Sequence, residues 1–187
     1  MISLSGCADY AENTAVCTPE VPVESGTPTS EEGIFYMQHV SGELTEVTRP
    51  VNVLFEFETL KFTKYQIAYL SCTWRPAEVN YKQVAYVELD KNGTIKFLSF
   101  SVDSNGHYTP AVWGDSSPTP GGKTKEDFTA ELVNGYFIGK TVEDLANMST
   151  IADMTDFEQV DEYAGSSVSV NNMLRALKEL QNYHMNK

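Results

Sequence analysis

The sequence predicts an α+β fold: an antiparallel β-sheet, a short helix after it, and a long C-terminal helix. Three observations carry that prediction. The region from Ile34 to Val102 holds successive runs rich in β-branched and aromatic residues, several with a period of two. Lys91-Asn92-Gly93 separates two of these runs, and Asn-Gly favours a tight hairpin because both residues tolerate positive φ. From Val170 the period changes, with Val170, Met173, Leu174, Leu177 and Leu180 recurring at three- and four-residue spacing. Arg175, Lys178, Glu179 and Gln181 fall on the opposite face of that helix.

In chain order, residues 1–32 are rich in Pro, Thr, Ser and Glu and poor in large apolar groups. Such a stretch buries too little surface to offset chain entropy and reads as an extended, disordered acidic tether. Leu4-Ser5-Gly6-Cys7 resembles a bacterial lipobox, in which Cys7 would be the lipidated residue. Three residues precede it, which leaves no room here for a charged n-region or an apolar h-region, and a chance four-residue match is the alternative. A lipidated cysteine followed by a tether is the layout of a surface lipoprotein; a floppy N-terminus is the plainer reading.

Residues 33–187 read as one domain. Ile34–Val40 is a strand, and Val51–Phe57 another, with Val51, Val53, Phe55 and Phe57 on one face and Leu54 interrupting the polar one. Tyr65–Trp74 continues in β character until Arg75-Pro76. Lys82–Asp90 and Thr94–Val102 form the hairpin around Asn92-Gly93. The stretch from Asp103 to Thr124 is loop, and it brings His107, Tyr108 and Trp113 close in sequence. Flat aromatic groups of this kind offer one face to a ring-bearing ligand; equally, Trp113 anchors the loop to the core. A short element after Phe128 ends at Asn134-Gly135, and Thr141 caps a helix with acids in its first turn.

Composition narrows the function. The chain has 187 residues, a net charge of −13, 41% hydrophobic residues, nine Phe and ten Tyr, enough for one well-packed domain plus an appendage. That charge argues against nucleic-acid binding, which needs a basic face, and against docking on anionic lipid, leaving a lipid anchor as the one membrane connection. Cys7, Cys17 and Cys72 have neither metal-ligand nor CxxC spacing, and His39, His107 and His184 are scattered, so no metal site is expected. No Gly-x-Ser-x-Gly elbow, phosphate loop or dinucleotide glycine pattern is present.

The stretch that carries chemistry is Asp161-Glu162-Tyr163-Ala164-Gly165-Ser166-Ser167, followed by Ser169 as N-cap of the last helix. Small residues admit a ligand to the backbone, and a helix N-terminus presents unpaired N–H groups with partial positive charge, which suits a phosphate. A well-capped helix with no ligand shows the same local pattern. The seven residues resemble the Asp-x-x-Ser-Gly-Ala-Thr signature of FMN-binding domains. That family includes the C subunit of the sodium-pumping NADH:quinone oxidoreductase, the Rnf flavoprotein subunit and extracellular flavin-bearing lipoproteins. Asp161, Gly165 and Ser167 keep the pattern, while Ala164 and Ser166 depart from it. The resemblance implies an extracytoplasmic, membrane-anchored bacterial electron carrier. In it a flavin transferase joins FMN through its phosphate to Ser167, with Ser166 as a second possible acceptor. It further implies redox partner proteins or a quinone-linked donor, and Asp161 read by the transferase. The competing class is a non-redox surface lipoprotein that binds ligands or adheres using the same fold without flavin.

Overall fold

The computed structural model describes residues 33–40, 46–72, 81–100, 123, 127–163 and 169–187. Five strands, β1 (Ile34–Val40), β2 (Glu46–Glu58), β3 (Phe62–Cys72), β4 (Tyr81–Asp90) and β5 (Ile95–Phe100), form one antiparallel sheet in the order β1-β2-β3-β4-β5. Helices α1 (Phe128–Phe137), α2 (Val142–Ala146), α3 (Val160–Tyr163) and α4 (Val170–Met185) follow, with a single 3₁₀ turn at Ile151–Asp153. The α+β expectation therefore holds, and both the short capped helix and the long terminal one are present.

In β1, β3 and β4 period two delivers apolar side chains to one face, and in β5 a register shift brings Ile95 and Leu98 to it together. Phe35 and Met37 of β1, Val51 of β2, Tyr65, Ile67 and Tyr69 of β3, Ala85, Val87 and Leu89 of β4, and Ile95 and Leu98 of β5 are buried together. Against them α4 sets Val170, Met173, Leu174, Leu177 and Leu180, the stripe its spacing predicts. The β4–β5 turn is built on Asp90, whose Oδ1 accepts from Asn92 N (2.9 Å) and Thr94 N (3.0 Å). Gly93 sits there at φ +76°, which an L side chain rarely adopts.

Three expectations need correction. In β2 the register passes from Val53↔Ile67 to Phe55↔Gln66, so Leu54 is the extra residue of a β-bulge. One extra residue reverses the faces beyond it, and Phe55 and Phe57 point away from the core, exposed, instead of continuing the Val51–Val53 row. The segment after Phe128 does not stop at Asn134-Gly135. It runs to Phe137 as a wide helix of π type whose end bond is Ile138 N to Val133 O (3.0 Å). Finally, Arg175 and Gln181 do not lie on a solvated face of α4; both are buried, each donating to backbone carbonyls.

Candidate functional site

The start of α4 is the natural centre of the site. Ser169 adopts an extended conformation and its Oγ accepts from Asn172 N (3.2 Å), closing the cap expected of it. The helix is then fixed by side chains of its first turns. Asn172, fully buried, accepts from Val40 N at Oδ1 (2.8 Å) and donates from Nδ2 to Val40 O (2.9 Å) and Ser71 O (2.8 Å). Arg175 donates from Nε to Ser149 O (2.7 Å) and from Nη1 to Gln38 O (3.1 Å). Asn171 accepts from Ile151 N (2.7 Å). The ends of β1 and β3 and the Ser149–Ile151 segment thus meet at the first two turns of α4. A buried carbonyl or amide must find a partner, and these side chains supply it.

This end of the core is polar. His39, Ser71, Gln83, Asn172 and Arg175 are all buried, whereas the opposite end is apolar apart from Thr63 and Gln181. His39 lies between two anchor points, since Gln38 takes the bond from Arg175 and Val40 those with Asn172. Three buried side-chain atoms there, His39 Nε2, Arg49 Nε and Ser71 Oγ, have no hydrogen-bond partner. Burial, and then the positive charges of Arg49 and Arg175, push the His39 imidazole down to about 4, so it is neutral at physiological pH. None of this cluster was singled out by sequence. Its one readable signal is the inward parity of His39, on the face of Phe35 and Met37.

Helix α3 ends at Tyr163, ahead of residues 164–168 in the chain. Asp161 is exposed on it, and Tyr163 is buried against Phe128 and Phe157, with ring centroids 6.2 Å and 5.9 Å away. The Tyr163 hydroxyl donates to Glu131 Oε2 (2.8 Å). Lys123 Nζ pairs with Glu131 (2.7 Å) and Glu162 (2.5 Å), and those hydrogen bonds raise its affinity for the proton. Burial first, and then Glu131, hold the Tyr163 phenol strongly in its neutral form. The rings of Phe128, Phe157 and Tyr163 are packed on one another and form part of the core.

Of the residues that sequence assigns to the site, Ser169 is the cap and Asp161 stands exposed on α3. Gly165, Ser166, Ser167, His107, Trp113 and Cys7 lie outside the described residues, as does the 1–32 tether. The described neighbours of the Gly165–Ser167 stretch are Tyr163, on α3 with the Asp161 carboxylate and the Lys123–Glu162 pair, and Ser169 at the start of α4, where the helix N-terminus favours an anion. Among the described residues, no group of three or more His, Cys, Asp or Glu side chains gathers to hold a metal ion. No helix there is long and apolar enough to cross a membrane. No protein-family model, curated protein or solved structure matches the chain.

Proposed function

We propose that this chain is an extracytoplasmic flavoprotein electron carrier that holds FMN as a phosphoester on Ser167, with Ser166 as the alternative acceptor. One observation carries the reading. The seven-residue signature-like stretch leads into a 16-residue helix whose start is capped by Ser169 and clamped to the sheet by Asn172. The N-terminal amides of such a helix suit a phosphate. FMN supplies reversible electron uptake and release. The protein's part is to hold the phosphate and to keep the carrier from losing its cofactor by dilution. Asp161, exposed and on the acidic side, is suited to recognition by the flavin transferase instead of contact with the phosphate. Cys7 as a lipid anchor, with residues 1–32 as tether, belongs to the same reading, and so do redox partner proteins or a quinone-linked donor.

The test is co-expression with a flavin transferase, followed by denaturation. The expected product stays yellow and gains the mass of an FMN phosphoester, and Ser167→Ala removes both. Loss in Ser166→Ala alone moves the acceptor by one residue. A colourless wild-type chain of unshifted mass ends the covalent reading.

A second reading has its own observation. The outer sheet face exposes Phe55, Phe57, Tyr86 and Phe97, a surface that a ligand-binding or adhesive module without flavin would use. Surface-display binding that survives Ser167→Ala and is lost in Phe57→Asp favours it.

A further inference from the structure

We propose that the buried polar end of the sheet, where His39, Arg49 and Ser71 meet the first turns of α4, is a receptor for a tetrahedral oxyanion of the phosphate class. The bonds of Arg175 to Gln38 and of Asn172 to Val40 hold α4 across β1 on either side of His39. The side chain between them is 1% exposed, and its Nε2 has no partner. Arg49 shares that face of the β1–β2 pair, because Met37, its register partner, points into the core. The Arg49 Nε and the hydroxyl of Ser71, which is fully buried, are likewise unsatisfied. Buried polar atoms in native proteins almost always find partners, so three orphans in one place mark groups that a ligand completes.

Charge selects the ligand. No carboxylate among the described residues lies within ion-pair distance of Arg49, and Arg175 together with the start of α4 adds further positive potential. Asp153, on which the Arg175 charge acts, is occupied by the backbone amides of Ser149 and Thr150. In a chain of net charge −13 this is a cationic focus. A guanidinium N–H and a hydroxyl, beside an imidazole on which the arginine charge acts, match an acceptor with several oxygens. The site requires neither a covalent flavin nor a ring slot, so it goes beyond the carrier reading. The same chemistry comes from free phosphate or from the phosphate of a nucleotide cofactor.

The test uses the full chain made without a transferase, in phosphate-free buffer. Inorganic phosphate is titrated against chloride at matched ionic strength, with melting temperature and the ¹⁵N signals of the His39 imidazole as readouts. Phosphate is expected to raise the melting temperature, shift the His39 signals and raise the His39 titration midpoint from about 4. Arg49→Gln should weaken phosphate by about tenfold or more, the loss of one charge-assisted bond, and Arg49→Lys should retain part of the affinity. Lys64→Gln, on the outer face, serves as the unaffected control. Competition by FMN but not riboflavin assigns the site to a cofactor phosphate; no competition by FMN assigns it to free phosphate. Wild-type His39 signals that ignore phosphate, or an Arg49→Gln chain that binds it as tightly as wild type, overturn the proposal. A flavinylated protein with an unresponsive His39 would sink this site and spare the carrier. A responsive His39 in a chain that never takes flavin would do the reverse.

Discussion

At the scale of single residues, two positions hold more of the physics than their neighbours. His39 is buried beside two arginines and refuses a proton until about pH 4, whereas an unfolded chain takes it near 6.5. The unfolded state therefore binds more protons through that window, and stability is full above 6.5 and falls as pH drops toward 4. The shift corresponds to about 3 kcal/mol in total. His39→Gln should flatten the urea-unfolding profile between those two pH values; a profile parallel to wild type would show that the imidazole is not the group responsible. Gly93 is the second position. At φ +76°, a Cβ there would lie 2.7 Å from Val142 Cγ2 and 3.3 Å from Met185 Sδ. Strain and overlap together should make Gly93→Ala cost about 2–4 kcal/mol in urea unfolding. A cost near zero would mean that the turn and α2 move apart freely.

At the scale of elements, β2 and α4 teach the same lesson from opposite directions. The β2 sequence keeps Val51, Val53, Phe55 and Phe57 at one parity, yet its faces reverse at Leu54 because one residue has no partner on β3. Val51 is fully buried and Phe57 is 55% exposed, although both occupy the same parity. Val51→Ala should cost about 2 kcal/mol, whereas Phe57→Ser should change stability by about 0.5 kcal/mol or less, both read from chemical denaturation. Equal costs would place the bulge elsewhere. In α4 the apolar stripe is as spaced, but Arg175 and Gln181 are buried outside it. Sheet carbonyls call them in: Gln38 O receives Arg175 at one end, and Gly93 O receives Gln181 (2.8 Å) at the other. The short capped elements behave more locally. Thr141 and Asp144 form a reciprocal capping box, and Asp153 Oδ2 accepts from the Thr150 N–H (2.8 Å), each within three residues.

For the whole molecule, the sheet divides two environments. Its inner face is packed by α4 and reaches from an apolar centre to a polar end at His39 and Asn172; its outer face carries exposed aromatics around the Lys64–Glu88 ion pair (2.8 Å). The described part opens at Gly33, whose carbonyl accepts from Val53 N (2.8 Å), so the fold is tied to the sheet from that residue onward. A chain starting at Gly33 should keep the melting temperature and cooperativity of the full chain in calorimetry. A broadened or lowered transition would show that residues 1–32 contribute to the core.

The sequence alone determined what depends on near neighbours. Strand and helix periods, the Asp90–Thr94 turn, the Thr141 and Ser169 caps and the apolar stripe of α4 are set within a few residues. Each is visible because its hydrogen bonds or side-chain faces repeat over that distance. Tertiary structure decided what depends on a partner far along the chain. The bulge at Leu54 exists only relative to β3. His39, Arg49, Ser71 and Arg175 become one cluster only when β1, β2, β3 and α4 are brought together. No local pattern records that meeting, because the cost of an unpaired buried donor is set by the burial that folding creates.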